Sequence, residues 1–157
     1  MKYLLGALFL ILIVLLETSV LPIFPLFGAQ LGLLLVILLA LQFLGLTRGS
    51  YYGAFFGGIL FDLLTGGLFS LSALVLLLLS AVAGLVRRFV SGTLPVLLVT
   101  TFIASVFFRL VQSFPTVNLP TLCKGGFVDV GLMLFTYPTL KYLLKSVFGR
   151  RELKVGV

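Results

Sequence analysis

Chemistry in this chain has to come from very few side chains. The 157 residues hold 11 lysines and arginines, 4 acids, one cysteine and no histidine. Without histidine the usual proton shuttle and the commonest metal ligand are missing, and no Ser-His or Cys-His nucleophile can be assembled. Cys123 has no second cysteine to pair with, which excludes an internal disulfide. A lone cysteine near a helix start packs as a small hydrophobe more often than it reacts. Three acids, Glu17, Asp62 and Asp129, and one cation, Arg109, fall inside apolar runs. Asp62 and Asp129 could in principle form an intramembrane acid pair or hold a metal. Enzymes of lipid phosphoryl transfer supply several clustered acids, however, so the chain is expected to have no catalytic residue, no metal site and no cofactor.

The elements that carry these residues belong in lipid. The chain is 61% hydrophobic and 10% charged, where soluble domains average roughly 45–50% and 25%. Its mean hydropathy is +1.33. A soluble protein of this size cannot hide so much apolar surface. The sequence therefore predicts an all-α integral membrane protein: one polytopic domain, residues 1–157, folded as a compact bundle of six transmembrane helices. The spans cover about 4–21, 31–46, 49–64, 68–86, 94–111 and 122–144, followed by a basic tail 145–157. The positive start and apolar run after Met1 are similar to a signal peptide, yet the rest is equally apolar and no clear cleavage site follows. A retained first helix is expected. Pro22 and Pro25 end it, Arg48 marks a very short turn, Arg87 and Arg88 close the fourth span, and Gln112 to Pro120 reads as a polar loop. Pro138 falls inside the sixth span, where neighbouring helices can resatisfy the backbone.

Charge sets the orientation. With the N-terminus in the cytoplasm, the inner side holds Lys2, Arg48, Arg87, Arg88 and the tail cations, while the outer loops hold Lys124. That bias follows the positive-inside rule and puts both termini in the cytoplasm. The net charge of +7 is then topology together with attraction to anionic membrane lipid, and no nucleic acid partner is expected. In this orientation Glu17, Asp62, Arg109 and Asp129 all fall in the outer half of the membrane. One reading makes them an intramembrane polar layer in which Asp62 and Arg109 meet, with Asp129 or Glu17 as further acceptors. The plainer reading has each reach water on its own at the interface.

The stretch Gly53 to Gly67, GAFFGGILFDLLTGG, is the packing centre. Gly45, Gly49, Gly53 and Gly57 share one helical face if the helix runs through, and Gly58 adjoins them. In water a glycine costs about 1 kcal/mol relative to alanine in a helix; in lipid such a row lets another backbone approach closely. Thr65, Gly66 and Gly67 stop the helix, glycine tolerating the left-handed conformation after a C-cap. The row serves either internal packing or a partner helix, and internal packing is the commoner use.

The run from Gly53 to Leu74, GAFFGGILFDLLTGGLFSLSAL, resembles the central signature of the MreD family, rod shape-determining membrane proteins of bacteria. The short length, the six expected spans, the basic turn after the fourth and the basic tail are similar too, so the resemblance covers the whole chain. It departs from the common family pattern at Ala29-Gln30-Leu31 and at Ser70 and Ser72. The resemblance implies a scaffold of the cell-elongation, peptidoglycan-synthesising machinery in the inner membrane. It implies an MreC-type single-span partner, with an MreB filament, a RodA-type glycan polymerase and a class B penicillin-binding protein nearby. The expected bundle is also similar in fold to the substrate-binding subunits of energy-coupling-factor vitamin transporters, and fold does not fix function. The alternative function is accordingly a small-molecule binding subunit whose outer pocket is lined by Glu17, Asp62, Arg109, Gln112 and Asn118. A binder should show a concave outer pocket with convergent polar groups. A scaffold should show a groove of small residues facing lipid.

Overall fold

Leucine, valine and isoleucine cover every side of the helix Leu33–Leu44, here α2. A helix with no polar face belongs inside, and Leu34 to Ala40, Gln42 and Phe43 are all buried. Around α2 stand α1 (Lys2–Leu15, continued by a wider π-helical turn Leu16–Val20), α3 (Thr47–Thr65), α4 (Leu71–Phe89), α5 (Leu94–Gln112) and α6 (Leu119–Phe148). All five touch it. The computed structural model describes residues 2–20, 32–66, 71–90, 94–113 and 119–148, and these contain no strand. Gly67, the connecting segments 21–31 and 114–118 with Asn118, and the tail from 149 lie outside the described residues.

Successive helices run in opposite directions. Ser50 Oγ of α3 donates to Leu38 O of α2 at 3.0 Å, and Gly57 faces Leu34. Gly58 of α3 lies on Ala73 of α4 while Asp62 reaches Ser72. Phe102 and Phe127 meet between α5 and α6, their rings tilted at 54° with centroids 5.1 Å apart. This alternation collects the acids at one end of the bundle and Arg48, Arg87 and Arg88 at the other.

Three of the six expected spans are long and apolar enough to cross a membrane: α4, α5 and residues Leu119–Leu143 of α6. The other three depart from expectation for separate reasons. Leu33–Leu44 is apolar but short, and the apolar stretch Leu8–Ser19 is part of a longer first helix that begins at Lys2. The 12 residues of α2 extend about 18 Å, against a hydrocarbon core of roughly 30 Å. Enclosed by protein, α2 does not have to match the bilayer. Helix α3 has 19 residues, but glycine, tyrosine, serine and Asp62 dilute its apolar character.

The breaks between helices also moved. Gly45 has φ 94° and caps α2, its N–H donating back to Gln42 O and Leu41 O. The helix therefore does not run through from Gly45, and only Gly49, Gly53 and Gly57 of the expected row share α3. At the other end Gly66, φ 65°, stops α3 as its Thr-Gly-Gly exit predicts. Helix α6 has 30 residues and takes in Pro120, which the sequence reading leaves in a loop. A proline in the first turn loses an N–H that had no helical partner anyway.

Candidate functional site

The glycines of α3 are used inside the bundle. A Cβ on Gly53 would stand 2.7 Å from Leu38 Cδ2, and one on Gly57 would stand 3.1 Å from Leu34 Cδ1. One on Gly58 would run into the backbone of Ala73. Gly49 is exposed, with Leu46 Cβ at 4.0 Å as its near neighbour, and Gly66 has open space around it. The small-residue face is thus the seam between α3 and its neighbours α1, α2 and α4. Three glycines outside the expected set do the same work. Gly84 of α4 gives way to Gln42, Gly125 to the Arg109 side chain, and Gly126 to Phe102 and Val106. Their signal was present for the last two: Gly125 and Gly126 lie one helical turn before Asp129, on the face that carries it.

Each buried acid accepts a hydrogen bond from the start of a helix. Helix α2 begins after Gly32, which has no side chain to cap it. Asp129 Oδ1 takes the Gly32 N–H at 2.9 Å, and Glu17 Oε2 takes the Leu34 N–H at 2.7 Å. Asp62 Oδ2 takes the N–H of Ser72, second residue of α4, at 3.0 Å. The first N–H groups of a helix have no partner within it, and its N-terminus carries a partial positive charge. In a nonpolar bundle both are costly, and a carboxylate answers both. The π-helical turn Leu16–Val20 has more residues per turn than the α1 it continues, and it carries Glu17, 9% exposed, toward α2.

Arg109 pairs with Asp129, not with Asp62. Its Nη2 lies 2.8 Å from Asp129 Oδ2, and its Nε donates to Ser105 Oγ at 3.3 Å. The Ser105 hydroxyl donates in turn to the same Asp129 oxygen. Asp129 is 1% exposed and the arginine side chain 14%. Asp62 and Arg109 lie at a similar level of the bundle, Phe61 and Phe108 beside them having ring centroids 6.4 Å apart. The partners differ because Asp62 faces α4 across the hairpin, where the Ser72 N–H stands closer at hand. The polar layer is therefore two units: Glu17, Asp129, Ser105 and Arg109 around the start of α2, and Asp62 at the start of α4.

Removal of the Asp62 cap tests its role. Asp62→Ala is expected to lower stability by about 0.5–2 kcal/mol, the range for helix N-caps. Asp62→Asn, which keeps an acceptor, should recover most of this. Thermal unfolding of the purified protein in detergent measures both, and equal losses in the two variants would mean that charge alone matters there.

No metal-binding group of three ligands occurs among the described residues, and Cys123 is exposed on α6. The buried polar side chain without an assigned role is Gln42, 1% exposed, whose amide nitrogen and oxygen find no partner among the described residues. No family model, curated protein or solved structure matches the chain.

Proposed function

We propose that this chain is a non-enzymatic membrane scaffold of the MreD type, a six-helix bundle in the bacterial cytoplasmic membrane with both termini in the cytoplasm. The observation that carries this reading is the work done by the resembling stretch. Within it Gly53 and Gly57 seat α3 on α2, Gly58 seats it on α4, Asp62 caps α4 and Gly66 ends α3. The motif acts as a lock on a helical hairpin, which is what a scaffold needs. Its one ionisable group is occupied by a backbone N–H.

A single-span partner of the MreC type would meet side chains rather than the glycine seam, because that seam is filled from inside. Glu17 and Arg109, two residues of the pocket that the transporter-subunit alternative expects, do come to one end of the bundle, but Glu17 accepts from the α2 backbone and Arg109 pairs with Asp129. This favours the scaffold. The protein purified from bacterial membranes should bring down a single-span partner, and reporter fusions after Pro120 and Lys154 should read outside and inside. Binding of a vitamin-sized ligand without any affinity for such a partner's membrane segment would overturn the proposal in favour of the transporter subunit.

A further inference from the structure

Gln42 is the one polar side chain of α2, whose other residues are leucine, valine, isoleucine, alanine and phenylalanine. It is 1% exposed, and neither its Nε2 nor its Oε1 meets a hydrogen-bonding group among the described residues. Its backbone is provided for, since the Gln42 carbonyl accepts from Arg87 Nη1 at 3.0 Å. The side chain is not. An amide without a partner is costly in a nonpolar interior, and buried polar groups as a rule bond to protein or to ordered water.

The amide is seated on Gly84 of α4, where a Cβ would run into its Nε2. That same Cβ would lie 3.5 Å from Tyr51 Oη. The Gln42 amide and the tyrosine hydroxyl therefore flank one point on α4, the first from α2 and the second from α3. No hydrogen bond joins them. Two polar groups that stand close without bonding are what a bridging water connects. Solvent reaches the rim of the site, because Tyr51 is 38% exposed and Gly84 half-buried. The close seat of the amide on α4 suits water rather than a larger ligand. We infer that the α2–α3–α4 junction binds an ordered water that accepts from Gln42 Nε2 and donates to the Tyr51 hydroxyl. The bridge ties the last turn of α2 to α3 across the glycine of α4. It is independent of any partner of the scaffold.

The test is a structure of the full chain in lipid, fine enough to show ordered water, with a thermal-unfolding cycle in one detergent beside it. Density within hydrogen-bond distance of both Gln42 Nε2 and Tyr51 Oη is the expected result. In the cycle, Tyr51→Phe should lower the melting temperature of the wild type, because the water loses one of its two anchors. The expected drop is about 2–4 °C, that of one hydrogen bond in a chain of this length. The same change in a Gln42→Leu background should have no effect, since leucine holds no water. Tyr52→Phe, one residue along and 67% exposed, should leave the melting temperature unchanged. If Gln42→Leu does not fold, the contrast between Tyr51→Phe and Tyr52→Phe remains the readout. A Gln42 amide bonded directly to Tyr51 Oη, with no water between them, would overturn the proposal. So would an equal drop from Tyr51→Phe in both backgrounds, or no drop in either.

Discussion

Arg109→Gln is expected to destabilise the bundle by about 3–5 kcal/mol, the range for stripping one partner from a buried ion pair. The loss is large because of what stays behind. Asp129 is 1% exposed and would keep only the Gly32 N–H and the Ser105 hydroxyl as partners from the present network. A carboxylate so placed is left as an uncompensated buried charge at the start of α2. Asp129→Asn should also destabilise, since it weakens the cap on α2 and removes the carboxylate charge that pairs with Arg109. The two changes together should cost less than their sum by about 0.5–3 kcal/mol, as for residues in one network. Asp62→Asn with Arg109→Gln should instead add, because Asp62 shares no hydrogen-bond partner with Arg109 among the described residues. Thermal unfolding in one detergent, run on all five variants, decides the matter. Wild-type stability in Arg109→Gln, or strict additivity with Asp129→Asn, would remove the pair from any account of the fold.

The second large effect is at Gly58. Gly58→Ala should cost about 1–3 kcal/mol, the usual range for overpacking, because the added carbon meets the Ala73 backbone, with its N at 2.6 Å. Backbone in a packed hairpin cannot step aside cheaply. Gly53→Ala meets the end of the Leu38 side chain at 2.7 Å. A leucine can rotate away, and alanine regains up to about 1 kcal/mol of helix propensity, so the net change should be near zero. Gly49→Ala meets only Leu46 Cβ at 4.0 Å and should be neutral or stabilising. The ordering Gly58, Gly53, Gly49 is the readout, again by thermal unfolding. Equal losses at all three would mean that a partner helix, and not α2 and α4, covers this face.

By itself the sequence determined that the chain is helical, with runs long and apolar enough to cross a membrane, because composition and helical run length need no knowledge of neighbours. It marked Gly66 as a helix stop for the same reason: a left-handed residue after an apolar run is a local requirement. It singled out Glu17, Asp62, Arg109 and Asp129 because an ionisable group in an apolar stretch must have a reason to be there. It set Asp62 and Arg109 at one depth by counting residues along two helices that run the same way.

Only the tertiary structure decided what those four groups do. Depth is a one-dimensional quantity, and a partner also has to lie in the right direction around the helix axis. That direction depends on which helices adjoin. Hence Asp62 turned to Ser72 and Arg109 to Asp129, although chain position alone made Asp62 and Arg109 natural partners. The capping role was hidden for a further reason. The N–H groups of Gly32 and Leu34 leave no mark in a residue alphabet, and the acids that meet them come from α1 and α6, far away along the chain. The break at Gly45 was likewise invisible as a glycine spacing, since a row of small residues at helical intervals reads the same across a cap as within a helix. The Arg87 guanidinium lying against Gly45 exists only once α2 and α4 have packed together.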